Sequence, residues 1–441
     1  MLTDEMRKRH DSKEEKYLSS RTSMRDSSSR GQTKTGRLPK PIVLIIGAAL
    51  LFGFVYYGPF DFLSLSSNTH YVIIIDAGST GSRIHVFTLK EAGSDGYKLI
   101  KDDFYPLEPG LSSYGKDPKQ AAQSLKPLLD FAHQKVPVDS HHHTVVKVKA
   151  TAGLRILSEE VASNILKEVE KFVQSNYKFK TLPQLAQIMD GTDEGLFAWI
   201  SLNYFLDDWE PVPMKTAALD LGGGSFQLIF ETESQEQLPV EAKSNVLTIP
   251  VAGMTRNVYV RSYLGMGLKE ARKKLLKKIQ IDGAEVLTSP CLPEKYEGDW
   301  EHGGASFKIQ GSSSSSYENC LNSVEETFSG AITPINELLT KDLYAFSYIY
   351  DKAKDGGLVS GVEGSVVTVQ DFARIAQDAC RSQLINQRFQ CLDTVYINYL
   401  FARAFKLPAD FRMHVVKKVN GEEISWALGA AFKEMDERKL S

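Results

Sequence analysis

YVIIIDAGSTGSRIHVF at residues 71–87 and TAALDLGGGSFQLIF at residues 216–230 are two versions of one pattern. Each runs an apolar strand into an aspartate, enters a loop of Gly and Ser or Thr, and leaves as a second apolar strand. Asp76 and Asp220 stand 144 positions apart, about the length of one domain. A strand, a Gly/Ser loop and a returning strand predict a β-hairpin whose tip presents backbone N–H groups. Such a tip suits phosphate oxygens, and an acid at the strand end suits a cation held directly or through water. A single hairpin of this kind is as well explained by a tight turn that needs Gly. Two with matching Asp, Gly and Ser predict a duplicated fold with a phosphate clamp.

The chain has 441 residues, 42% hydrophobic and 24% charged, an ordinary globular composition with room for two or three domains. Residues 1–40 hold eleven Lys or Arg against six Asp or Glu and almost no large apolar side chain, so this arm is expected to be disordered. Its net +5 leaves the remainder at −8, given −3 for the whole chain. An acidic body argues against nucleic-acid binding.

Residues 41–60, PIVLIIGAALLFGFVYYGPF, carry no charge and place Tyr56 and Tyr57 near one end. That predicts a transmembrane signal-anchor. Arg30, Lys34, Arg37 and Lys40 precede it and Asp61 follows, which puts the N-terminus in the cytosol and the body across the membrane. Residues 61–70 read as a stalk, and cleavage there would give a secreted form.

All four cysteines lie in the back half, in what this topology makes an oxidising compartment. Three pairings are possible. Cys291–Cys320 with Cys380–Cys391 is the simplest, because each closes a short loop. The spacings fit no zinc pattern. Further along the chain, Asp117-Pro118 and Ser158 predict helix starts. Thr368 to Asp371 predicts a capping box. Residues 267–278 predict a basic amphipathic helix with a solvated face, and His141 to His143 a surface loop. A C-terminal helix from Glu422 is expected to be interrupted at Gly429.

Five short stretches complete the pattern: DAGSTGSRI at 76–84, KATAGLR at 149–155, DGTDEGLFAW at 190–199, LDLGGGSFQ at 219–227 and SWALGAA at 425–431. In this order they resemble the motifs of the apyrase and nucleoside diphosphatase family, over about residues 70–432. The resemblance implies an α/β fold of two RNase H-like lobes, as in actin, sugar kinases and chaperone ATPases, meeting at a nucleotide cleft. Lobe I is then expected at 71–190, with 415–441 returning to it, and lobe II at 191–414.

The resemblance also implies roles. Glu194 would activate the attacking water, with Ser225 and Gln227 holding it. Asp76, Thr151 and Asp220 would order the water shell of Mg²⁺ or Ca²⁺. Gly78, Ser79, Thr80, Gly81, Ser82 and Arg83 would take one end of the diphosphate, and Gly222, Gly223 and Gly224 the other. Tyr350 would stack on the base, and Trp426 belongs to the last motif. Standing alone, Glu194 reads first as a helix-dipole glutamate; its place beside Gly191 and Gly195, between the two hairpins, turns the reading toward the base. Tyr350 is equally read as a core aromatic.

One anchor and four cysteines resemble the lumenal diphosphatase branch rather than the cell-surface members. This implies a type II Golgi or ER enzyme that turns GDP, UDP or IDP into monophosphate and phosphate in support of glycosylation. Its partners are then a nucleoside diphosphate and a membrane. The alternatives are a non-catalytic actin-like nucleotide-binding protein and a broad apyrase.

Overall fold

The computed structural model describes residues 69–93, 96–207, 209, 213–251, 253–278 and 286–440. The arm at 1–40, the apolar stretch at 41–60 and the stalk to residue 68 lie outside the described residues. Among those described, no helix is long and apolar enough to cross a membrane.

Two sheets carry the fold. The first is five-stranded, in the order β3-β2-β1-β4-β5. Its strands are β1 (Thr69–Ala77), β2 (Ser82–Glu91), β3 (Tyr97–Leu107), β4 (Val145–Ala150) and β5 (Ala186–Ile188). β2 runs antiparallel to β1, and β4 and β5 follow β1 in parallel. The second sheet includes β6 (Thr216–Leu221), β7 (Ser225–Glu231), β8 (Val246–Val251) and β9 (Met254–Leu264). After β10 (Val286–Ser289), β11 (Glu297–His302) and β12 (Ala305–Gly311), which form a small separate sheet, it gains β13 (Asp342–Ser347), β14 (Ser365–Thr368) and β15 (Arg412–Val415). Its order is β14-β15-β13-β6-β7-β9-β8. Within it, β9-β7-β6-β13-β15 repeats both the order and the strand directions of β3-β2-β1-β4-β5. The duplication read from the two hairpins is therefore a duplication of whole sheets.

Helices follow the capping residues that the sequence offers. Those that pack on the sheets or border the site are α1 (Pro118–Ser124), α2 (Lys126–Lys135), α3 (Ala152–Arg155), α4 (Glu159–Asn176), α5 (Gly191–Leu206), α6 (Leu268–Lys278), α7 (Tyr317–Phe328), α8 (Tyr348–Asp355), α9 (Val369–Ser382), α10 (Gln390–Tyr399) and α11 (Ala427–Leu440). Asp117 accepts from Gln120 N–H at 3.0 Å to start α1, and Asp190 accepts from Thr192 N–H at 2.7 Å to start α5. Thr368 and Asp371 form the expected capping box on α9.

The central strands β1, β4, β6 and β7 are buried on both faces over most of their length, so their side chains alternate between two cores. Ile73 and Ile75 of β1 pack with α1, α2 and α4. Val72 and Ile74 face a second core built from α5, α11 and Ala218, Ile229, Val258 and Val260 of the other sheet. Ala217, Leu219 and Leu221 point into a third core with α6, α9 and α10. The layers are thus helices, sheet, α5 with α11, sheet, helices. Trp199 fixes the middle layer. It is fully buried, and its indole donates to the Thr216 carbonyl at 3.1 Å.

Three expectations need correction. Gly429 does not interrupt the last helix, which begins at Ala427 and runs through it. A Cβ there would lie 2.5 Å from the Phe197 carbonyl oxygen, so this glycine marks close contact with α5. His141 is buried at 3% exposure, with Nε2 3.0 Å from the Val136 carbonyl, so only His142 and His143 are surface residues. The helix at 268–278 keeps its lysines mostly outward, but it buries Arg272 and Glu270. Both disulfides join sequence neighbours, Cys291–Cys320 and Cys380–Cys391.

Candidate active site

The two Gly/Ser loops close in the same way. Gly78 N–H donates to Gly81 C=O and Gly222 N–H to Ser225 C=O, both at 3.0 Å. Asp76 and Asp220 each hold the penultimate position of their strand, β1 and β6. The loops also meet, because a Cβ on Gly223 would lie 2.6 Å from Ser79 Oγ. A side chain at 223 would have to displace the Ser79 hydroxyl, so glycine suits this close approach.

Between them lies a cavity of about 400 Å³. Asp76, Thr151, Glu194, Asp220 and Ser225 all border it. So do Gly78, Ser79, Thr80 and Arg83 from the first loop, and Gly222, Gly223 and Gly224 from the second. Trp426 borders it from the last motif. Gly81 and Ser82, grouped with the loop in sequence, do not. Nor does Gln227, which is buried behind Ser225 and donates from Nε2 to Ser225 Oγ at 2.9 Å and to Ser262 Oγ at 3.1 Å. Tyr350 borders the cavity but is only 2% exposed, and its hydroxyl donates to the Gly361 carbonyl at 3.1 Å. A ring so enclosed has no open face on which a base could stack. Tyr348 is the more open aromatic, with its hydroxyl 3.5 Å from Thr80 Oγ1 across the cleft.

Glu194 stands on the first turn of α5 and is 8% exposed. Burial pushes its carboxyl up to about 8; the Arg155 guanidinium opposes this, while Asp220 and Asp76 add to it. Arg155 Nη2 donates to Glu194 Oε2. Burial likewise pushes Asp220 up to about 6, against a hydrogen bond from Ser347 and with the Asp76 charge adding. Asp76 is raised by burial and relieved by Arg83, whose Nη1 donates to Asp76 Oδ2 at 3.3 Å. Six carboxylates border the cavity, against the cationic Arg83 and Lys417. Such a wall repels a diphosphate unless a cation intervenes.

The donors for a cation are present in kind. Asp76 Oδ1 and Asp220 Oδ1 are both buried and have no hydrogen-bond partner. Two orphaned carboxylate oxygens on facing strands fit a hard divalent ion or its water shell. Among the described residues, no cluster of three or more His, Cys, Asp or Glu side chains that could hold a metal directly occurs. Water and substrate oxygens would have to complete the shell of such an ion.

Residues 62–441 match the model of the GDA1/CD39 (nucleoside phosphatase) family. The chain belongs to this family. A GDA1/CD39 chain of Mus musculus, ectonucleoside triphosphate diphosphohydrolase 6, is 36% identical over 84% of this chain and 82% of its own length. The nucleoside-diphosphatase uda-1 of Caenorhabditis elegans is 34% identical over 84% of this chain and 83% of its own length. A crystal structure of nucleoside triphosphate hydrolases from Neospora caninum superposes with a TM-score of 0.60 at 14% identity, covering 90% of this chain and 97% of that one. It shares the α/β fold of this GDA1/CD39 protein.

Arg155, Ser347 and Tyr348 are site residues that the sequence did not single out. Arg155 was visible as the last residue of KATAGLR, but nothing local ties it to Glu194. Ser347 ends β13 at φ 59° and ψ −128°, a positive-φ backbone after which Tyr348 opens a helix.

Proposed function

We propose that this chain hydrolyses nucleoside diphosphates to monophosphate and inorganic phosphate, with triphosphates as poorer substrates. The observation that carries the reading is that Glu194, Asp76 and Asp220 share one cavity between two facing Gly/Ser loops. Family membership and a relative named as a nucleoside-diphosphatase point the same way. A non-catalytic nucleotide binder would have no use for a buried carboxylate held by an arginine beside the phosphate loops.

In this reading Ser79, Thr80 and the Arg83 guanidinium of the first loop, with the backbone N–H groups of Gly223, Gly224 and Ser225 of the second, hold the phosphate chain. Glu194 takes a proton from the attacking water through its carboxylate, while Arg155 fixes one of its oxygens. Ser225 helps hold that water, and Gln227 acts on it only through the Ser225 hydroxyl. Asp76 and Asp220, with Thr151 nearby, would hold Mg²⁺ or Ca²⁺ through water, and that ion would supply charge neutralisation at the phosphate oxygens. The phosphoryl group then needs only alignment and charge stabilisation for in-line transfer.

The two sheets are read as RNase H-like lobes of the actin and sugar-kinase fold, 71–190 with 415–441 and 191–414. The charge-free stretch at 41–60 is read as a signal-anchor holding the body in the Golgi or ER lumen, where removal of GDP and UDP would serve glycosylation. Initial rates of phosphate release from GDP, UDP, IDP, ADP, GTP and ATP by the purified full chain test the reading. Diphosphates should lead, and no phosphate release from any of them would refute it.

A further inference from the structure

The second phosphate loop has its carbonyl groups occupied. Leu268 N–H donates to the Gly222 carbonyl at 2.9 Å, and Gly265 N–H donates to that of Gly224 at 2.8 Å. Lys269 and Glu270 both donate to the Gly223 carbonyl, at 2.9 and 3.1 Å. These peptides are trans, the cis bond among the described residues being Glu108–Pro109. In a trans peptide the carbonyl and the following N–H point in opposite directions. Anchoring three successive carbonyls on residues 265–270 therefore turns the N–H groups of Gly223, Gly224 and Ser225 the other way. Those three residues border the cavity, and none of residues 265–270 does. A segment outside the site thus aims the donors inside it.

The segment is itself held at two points. Gly267 lies against the loop backbone: a Cβ there would sit 2.5 Å from Gly224 N and 2.6 Å from the Gly223 carbonyl carbon. Helix α10 grips the segment from behind. The Tyr396 hydroxyl donates to the Met266 carbonyl at 2.6 Å, deep in the core. Asp393 takes Nε and Nη2 of Arg272 at 2.7 and 2.5 Å in a buried bidentate pair.

We propose that Gly265–Glu270 is the template that sets the second phosphate loop, with Gly267 and Tyr396 as positioning residues for the hydrolytic reaction. The proposal rests on reading Gly222–Ser225 as a phosphate loop. These residues touch no substrate; they act by fixing where three N–H groups point. A donor displaced by about 1 Å costs on the order of 10²-fold in rate, so the effect belongs in kcat and in the affinity for phosphate.

The test uses the full chain and the variants Gly267→Ala, Tyr396→Phe and, inside the loop, Gly223→Ala. Melting temperature, kcat, KM and competitive inhibition by inorganic phosphate are measured on each. Gly267→Ala should lose roughly 10²-fold in kcat. Tyr396→Phe, which removes one buried hydrogen bond, should lose roughly fivefold. Both should bind inorganic phosphate more weakly. If Gly267→Ala does not fold, Tyr396→Phe decides alone. A lower melting temperature with wild-type kcat and wild-type phosphate inhibition would overturn the proposal. Should Gly223→Ala weaken phosphate inhibition while the other two leave it intact, only the template fails. Should all three leave it intact, the phosphate-loop reading fails with it.

Discussion

Arg155 and Glu194, thirty-nine positions apart, form an ion pair at the edge of the cavity in which both side chains are nearly buried. Arg155 ends the short helix after β4, and Glu194 opens α5 after β5. The pair therefore joins the ends of two parallel neighbouring strands. The guanidinium fixes one carboxylate oxygen, Oε2. It also offsets part of the burial that raises the Glu194 carboxyl.

Removing that cation should weaken the base twice over. Arg155→Ala leaves Glu194 buried without its partner, so the carboxyl rises further and its orientation loosens. We expect kcat to fall by roughly 10²-fold and the ascending limb of the pH–rate profile to move to higher pH. Arg155→Lys should recover part of the pH shift, since charge returns without the fixed fork. A profile unmoved in Arg155→Ala would separate Arg155 from the base.

Glu194→Gln keeps the size and removes the base. Turnover should fall by roughly 10²–10⁴, with nucleotide affinity little changed. Stability gives an independent readout. The folded carboxyl sits at about 8 against 4.5 when free in solution. Folding then favours the protonated form, so the stability that form contributes is complete below about 4.5 and is lost as pH rises through 8. Between pH 5.5 and 8.5 the wild-type melting temperature should therefore decline more than that of Glu194→Gln. Parallel declines would show that Glu194 does not titrate in that window.

What the residues disclosed and what they concealed divide by range. The hairpins were legible because strand, aspartate, Gly/Ser loop and strand are local, and the loops close as the pattern requires. The duplicated sheet order followed from them. Glu194 became legible through the resemblance, because a first-turn glutamate on a helix is otherwise ordinary. Arg155 was present in a recognised stretch, yet its partner is set by strand order rather than spacing. Arg272 hid in a lysine-rich run that reads as a solvated face; its partner Asp393 is 121 positions away. Tyr350 stands out only because residues 344–350 resemble the family's base-stacking segment, and a resemblance does not show which ring of the segment stays open. The positive-φ turn at Ser347 starts a helix at Tyr348, which leaves Tyr348 half-buried and places Tyr350 in the core.

Cation dependence follows from the two orphaned oxygens and the acidic wall. EDTA in excess should abolish phosphate release, and added Mg²⁺ or Ca²⁺ should restore it. Asp220→Asn replaces one of the two carboxylates by an uncharged amide while keeping its volume. It should raise the cation concentration needed for half-maximal rate by roughly tenfold or more, on the scale of a tuned metal site. The same substitution removes a buried charge that folding holds at about 6, so the variant should be no less stable than wild type above that pH. Isothermal titration of the protein with Mg²⁺ and the nucleoside monophosphate gives a readout independent of turnover. Full activity of the wild type in EDTA, or unchanged cation affinity in Asp220→Asn, would remove the aspartates from cation binding. Both results together would leave the neutralisation of the diphosphate to Arg83 and Lys417, which six facing carboxylates outnumber.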